Sequence, residues 1–174
     1  MSLEYRLGRQ RRTRRVTRKE ILRYIALGRQ PFGAATLVWD HLGRVLLVRK
    51  TGERWVAPGG FSEPGESPDH CAQRKVWEEA GVAIELEALT TMIEYCMSDG
   101  RQEVLFWLFQ FEADYDGGKP RPGRGFAEVA WFDRLPGHMR YRADYVEPWN
   151  RRRPLDSEPR GVGAVRSVRL SARR

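Results

Sequence analysis

The stretch GFSEPGESPDHCAQRKVWEEAGV, residues Gly60–Val82, decides how this chain is read. It opens on a glycine turn, crosses an acidic loop and then takes on helical character. Ser67-Pro68 has the form of an N-cap followed by proline at the first helical position, where a missing N–H costs nothing. The helix is predicted to run to about Ala80, and Gly81 stands where a left-handed stop is needed. Five carboxylates fall in the stretch: Glu63, Glu66, Asp69, Glu78 and Glu79. Carboxylate oxygens are natural ligands for Mg²⁺, which also binds substrate phosphates. A loop running into a helix holds several such groups at fixed geometry. Without their spacing, adjacent Glu residues near a helix end equally describe a solvated helix face.

The spacing favours the first description. Glu66 lies six residues after Gly60, Arg74 eight after Glu66, and then Val76, Glu78, Glu79, Gly81 and Val82 follow in register. The stretch resembles the Nudix box, G-x5-E-x7-R-E-U-x-E-E-x-G-U with U aliphatic, at eight of nine specified positions. The likeness extends to Trp55-Val56-Ala57-Pro58-Gly59-Gly60, to the hairpin 32–49 and to Glu128-Val129-Ala130-Trp131-Phe132, covering roughly residues 32–136.

The resemblance implies a Nudix-like α/β/α sandwich, with a mixed, curved sheet between helices and the box forming loop–helix–loop. It implies Mg²⁺-dependent hydrolysis of a pyrophosphate bond in a nucleoside diphosphate linked to another moiety, with Mn²⁺ as a possible replacement. By the same resemblance Glu78 and Glu79 are expected metal ligands, Gly59 a carbonyl ligand and Glu66 an auxiliary carboxylate. Arg74 is an orienter of carboxylates. Glu128 is the candidate base from outside the box, with Glu63 and Glu103 behind it.

One box position departs. Where the family carries a glutamate after the arginine, this chain has Lys75, one helical turn before Glu79. At about 5 Å and an effective dielectric near 20, a single positive charge and a divalent cation repel by roughly 6–7 kcal/mol. Lys75 is expected either to swing away on its flexible stem or to pair with Glu78 or Glu79. Hence the alternative reading: a catalytically weakened Nudix-fold domain that binds nucleotides or regulates, with the Lys75 amine contacting phosphate directly. Lys75, Trp55 and Trp77 are the candidates for lying near substrate.

Outward from the box, Phe32 to Trp39 and Val45 to Val48 are expected to form a hairpin about Asp40–Gly43. Val82 to Leu89 and Thr90 to Cys96 are two strand candidates. Val104 to Phe111, apolar at nearly every residue, is predicted as a central strand covered on both faces. Asp114–Gly125 is a polar loop and Val129–Phe132 a short strand. Trp39, Trp107 and Trp131 lie in strands and are expected in the core. Thr17 and Glu20 form a capping box ahead of a short basic helix whose Ile21, Leu22 and Ile25 share a stripe.

The 174 residues carry a net charge of +8, unevenly placed. Residues 1–30 hold ten Arg or Lys against two Glu, and residues 150–174 eight Arg against two acids. The middle is acidic, with thirteen basic and nineteen acidic side chains. This divides the chain into a basic arm with its helix (1–30), the Nudix-like domain (31–149) and a basic flexible tail (150–174). Residues 1–15 are read as a solvated arm. Clustered arginine also permits nucleic-acid contact, but no groove-reading helix or stacking motif accompanies it, so a nucleotide-type small molecule is the expected partner. No apolar run approaches a membrane span, and the N-terminus lacks the apolar segment of a secretory signal. Two cysteines, Cys71 and Cys96, make no disulfide framework and point to the cytoplasm. Cys71 is expected to be a small buried apolar residue.

Overall fold

The computed structural model describes residues 8–26, 28, 31–152 and 170–171. One mixed eight-stranded sheet organises them. The elements are β1 (Gly8–Arg15), α1 (Arg18–Ala26), β2 (Phe32–Trp39), β3 (Val45–Arg49), β4 (Gly59–Phe61) and α2 (Pro68–Ala80). They continue with β5 (Ala83–Ser98), β6 (Glu103–Gly117), β7 (Glu128–Phe132), α3 (Arg142–Arg152) and β8 (Leu170–Ser171). The strand order is β1-β5-β6-β2-β3-β7-β8, with β4 paired to β2. The pairs β1·β5 and β2·β6 are parallel and the others antiparallel.

Side chains alternate across the sheet with period two. Leu37, Trp39, Val45 and Leu47 point to one face, where α3 contributes Tyr145, Val146 and Trp149. Val38, Leu46 and Val48 point to the other, against Val76, Ala80 and Val82 at the end of α2. The sheet is thus sandwiched, as the resemblance implied. The predicted hairpin is present: Asp40 Oδ1 accepts from the N–H groups of Leu42 and Arg44 and closes its turn. α1 carries the expected capping box, Thr17 N–H donating to Glu20 Oε2 at 2.8 Å and Glu20 N–H to Thr17 Oγ1 at 3.3 Å. Its Ile21 and Tyr24 dock against Val16, Met97 and Phe106, while Leu22 and Ile25 stay exposed.

Several expectations are corrected. Gly8–Arg15, read as part of a solvated arm, is the edge strand of the sheet, paired with Thr91–Ser98. Three of its arginines meet carboxylates of the body: Arg9 and Arg11 share Glu94, and Arg12 pairs with Asp144. The two strand candidates after the box are one strand, β5, whose register shifts near Ala83, Leu86 and Leu89 absorb extra residues as bulges. β6 is interior to the sheet but not covered throughout, since Leu105 is exposed and Trp107 is only half-buried, with Arg9 5.6 Å from its ring centre. β6 also runs on to Gly117, into the predicted loop. α3 takes in residues 150–152, assigned to the tail; Trp149 lies against Trp39 at 5.2 Å between ring centres. The rest of the predicted tail, apart from the Leu170–Ser171 pairing with β7, and residues 1–7 of the arm lie outside the described residues. Among the described residues no helix is long and apolar enough to cross a membrane.

Candidate active site

The site is assembled where β4, α2 and the end of β3 meet. β4 lies so close to β2 that a Cβ on Gly59 would stand 2.4 Å from the Ala34 carbonyl oxygen. A side chain there would part the strands, so this turn requires glycine. α2 begins at Ser67-Pro68 as expected, although the Ser67 hydroxyl makes no capping bond. It ends at Gly81 with φ +71°, whose N–H donates to the Trp77 carbonyl. The next two exposed carbonyls of the helix end accept from a loop well ahead in sequence: Arg121 N–H to Ala80 and Gly123 N–H to Glu79.

Arg74 organises the carboxylates. Its Nε and Nη2 donate to the two oxygens of Glu66 at 2.6 Å each, a bidentate pair. Nη1 donates to Glu78 at 3.0 and 3.1 Å, and Nη2 also reaches the Phe61 carbonyl. Glu66 further accepts from the Glu63 N–H at 2.9 Å. The Arg74 hydrogen bonds hold the Glu66 carboxyl down at about 2. Burial pushes Glu78 upward, but hydrogen bonds from Lys75 and Arg74 outweigh it and leave its pKa lowered.

Glu79 is in a different environment. It is buried beneath the glycine turn, at 9% exposure, with Oε2 accepting from the Gly59 N–H at 3.0 Å. Burial pushes its pKa up to about 7, against the opposing pull of that hydrogen bond and of the Lys75 and Lys50 ammoniums. Lys50, at the end of β3, was not a candidate in the sequence. Nothing in its local pattern separates it from other surface lysines, and only the fold brings it towards Glu79.

Lys75 does pair with a box carboxylate, Nζ donating to Glu78 Oε2 at 2.9 Å. Trp77 is exposed, beside Arg121 and Arg124 around a surface cavity of about 270 Å³. Trp55 does not face an open cleft: it is 3% exposed in the core, packed edge-on to Phe132 with Arg49 4.7 Å from its ring centre. Glu128 pairs across strands with Arg49 at 2.5 Å through one oxygen, while its other oxygen is buried without a partner. Glu63 is exposed and only loosely near Arg74, at 3.7 Å. Cys71 is buried, and burial pushes its thiol up to about 11, which suits the expected packing role.

The donors expected to take a divalent cation are hard oxygens, right in kind for Mg²⁺ or Mn²⁺. As arranged they do not fit one. Glu78 is held by Arg74 and Lys75, Glu79 has one oxygen on the Gly59 N–H, and the expected third carboxylate position is a cation. Among the described residues no group of three or more His, Cys, Asp or Glu is arranged to hold a metal ion.

The chain matches the family described as NUDIX domain over residues 29–136. It is 37% identical over 112 residues to the NAD-capped RNA hydrolase NudC of Chromobacterium violaceum, covering 59% of this chain and 39% of that one. It is 48% identical over 52 residues to diphosphoinositol polyphosphate phosphohydrolase 3-alpha of Mus musculus, covering 29% and 32%. The chain therefore spans well under half the length of these curated relatives. Among solved structures it resembles a UDP-X diphosphatase with a TM-score of 0.56 and 21% identity, covering 79% of this chain and 71% of that one. A NUDIX hydrolase from Nitrosomonas europaea matches with a TM-score of 0.53 and 24% identity, covering 74% and 95%. These two likenesses bear on the fold.

Proposed function

The chain belongs to the NUDIX domain family, and from that membership we propose that it is a hydrolase of pyrophosphate bonds in a nucleoside diphosphate linked to another moiety. The observation that carries the reading is the Arg74 clamp, which gathers Glu66 and Glu78 on the face of α2 that also carries the buried Glu79 under the Gly59–Gly60 turn. Proteins of this family generally depend on a divalent metal, but Lys75 makes this site a poor holder of Mg²⁺ or Mn²⁺ through Glu78, Glu79 and the Gly59 carbonyl. What the chain's own residues supply is positioning and charge. Arg74 fixes the carboxylates, and Lys75, whose stem rests over Gly60, offers a positive charge to phosphate oxygens. In the reaction, a water oxygen bonds to phosphorus as the bridging oxygen departs with the second phosphate, and a carboxylate takes the water proton. We assign that role to Glu128, whose Oε2 has no hydrogen-bond partner among the described residues, and it requires the buried oxygen to open to the water.

The two cysteines are both unpaired thiols, which fits our placing of the protein in the cytoplasm. Arg9, Arg11 and Arg12 of β1 are engaged by Glu94 and Asp144, which weakens a nucleic-acid role for that end. A second reading, a nucleotide-binding or regulatory domain with little turnover, is favoured by the 2.9 Å pairing of Lys75 with Glu78.

Phosphate release or product separation over a panel of nucleoside diphosphate derivatives tests the hydrolase reading. We expect turnover of at least one member, abolished by Glu79→Gln. A folded protein that turns over none of them, or an unimpaired Glu79→Gln variant, overturns it.

A further inference from the structure

Lys75 is built into the site. A Cβ placed on Gly60 would lie 3.0 Å from Lys75 Cε, 3.2 Å from Cδ and 3.6 Å from Nζ. The lysine stem therefore rests on the bare backbone of the glycine turn, in space that any other residue at position 60 would fill. The side chain is only 19% exposed. A lysine swung out to solvent, the other escape open to it, is not what the structure contains. Its ammonium has three donors, and among the described residues Glu78 is the one hydrogen-bond partner it has.

The charges around it are already matched. Glu66 is neutralised by Arg74, and Glu78 by Arg74 and Lys75. The Lys50 ammonium, over the Phe126 ring at 5.3 Å, acts with Lys75 to lower the Glu79 pKa against burial. A divalent cation entering here would have to strip Lys75 from Glu78 and then remain beside its positive charge. An anion can instead use the two donors of the Lys75 ammonium that no described residue takes, sharing its charge with Glu78. Unequal treatment of cation and anion is what a phosphate subsite requires, and a lysine is a point-charge phosphate binder.

We propose that Lys75 takes over the charge-neutralising role of a divalent cation at this site, so that a nucleoside diphosphate binds directly to its ammonium and needs no metal to do so. The proposal rests on reading the site as a diphosphate site, and deepens that reading by naming what meets the phosphates.

Calorimetric titration of the 174-residue chain with ADP, in EDTA and again in Mg²⁺, tests it. The native protein is expected to bind ADP in EDTA within about threefold of its affinity in Mg²⁺. Lys75→Met, which keeps the apolar stem, is expected to weaken binding in EDTA at least tenfold, and Lys75→Arg to keep most of it. Lys75→Glu is expected to reverse the native pattern and bind ADP only with Mg²⁺. A circular dichroism melt of each variant establishes that it is folded. Native binding that falls tenfold or more in EDTA overturns the proposal, as does a folded Lys75→Met that binds ADP in EDTA like the native protein. Mg²⁺-dependent turnover by the native protein would likewise sink the proposal while leaving the hydrolase reading standing.

Discussion

Glu79 stands on α2 and Glu66 in the loop that leads into it, yet their surroundings drive them in opposite directions. Burial raises Glu79 to about 7 in the folded protein, while the unfolded chain releases that proton near the ordinary 4.5. Between those values the folded state holds a proton that the unfolded state has lost, so stability falls as pH rises through the window. The full difference is about 3 kcal/mol. Glu79→Gln keeps an acceptor for the Gly59 N–H and cannot ionise. It should be more stable than the native protein at pH 8, by up to about 3 kcal/mol, and little different at pH 4.5. Urea denaturation at the two pH values reads this, and equal pH slopes in both proteins would contradict it. The same variant is expected to lose activity, so stability and function part at this residue.

For Glu66 the sign reverses. Arg74 holds its carboxyl at about 2, so the pair contributes stability above 4.5 that disappears as pH falls towards 2. Arg74→Lys loses the two-pronged contact and should cost about 1.5–3 kcal/mol at pH 7, with the deficit shrinking in acid. A deficit independent of pH would mean that packing, not the ion pair, is what Arg74 provides. These residues were legible in the sequence because chemistry requires them at fixed intervals along one loop and the helix that follows it. Lys50 was not, since its position near Glu79 arises from the pairing of β3 and carries no local signature.

At the scale of elements, the box helix is held at its end by a loop some forty residues further on. Gly123 has no room for a side chain: an added Cβ would fall 1.6 Å from the Glu78 carbonyl oxygen. Gly123→Ala must lift the loop from α2 and break its bond to the Glu79 carbonyl, costing about 1–3 kcal/mol on denaturation. Gly65→Ala, where an added Cβ meets nothing within 4 Å but φ is +77°, makes a useful contrast of strain without clash. The central hairpin, α1 with its capping box, and α2 were all readable, because each declares itself through local periodicity and end signals. α3 was not readable. It carries Pro148 inside it, and its arginines and aromatics show their purpose only against Glu112, Asp114, Glu87 and Trp39 from other strands.

The whole molecule shows the same distinction most plainly in β1. An arginine-rich segment with few apolar partners looks like a solvated arm until Glu94, buried at 7% exposure, is seen to accept Arg9 and Arg11 from it. Removing residues 1–15 would strip β5 of a neighbour and leave Glu94 without those cations. We expect the melting temperature to fall by at least roughly 2–4 °C, the response to about 1 kcal/mol in a protein of this size. A truly solvated arm would leave it unchanged. The divided charge of the chain is therefore partly an internal matter, with basic segments lying on an acidic body.

The central claim is that this family's site is here run with a lysine where its relatives' motif places a metal-binding carboxylate. Turnover of a nucleoside diphosphate derivative by native protein and by Lys75→Glu, each measured in Mg²⁺ and in EDTA, tests it most directly. The predicted result is native turnover that changes less than about twofold on chelation, whereas Lys75→Glu should lose at least about tenfold in EDTA, about 1.4 kcal/mol in barrier. Native turnover that collapses in EDTA would contradict the claim, because the metal would then be doing the work assigned here to Lys75.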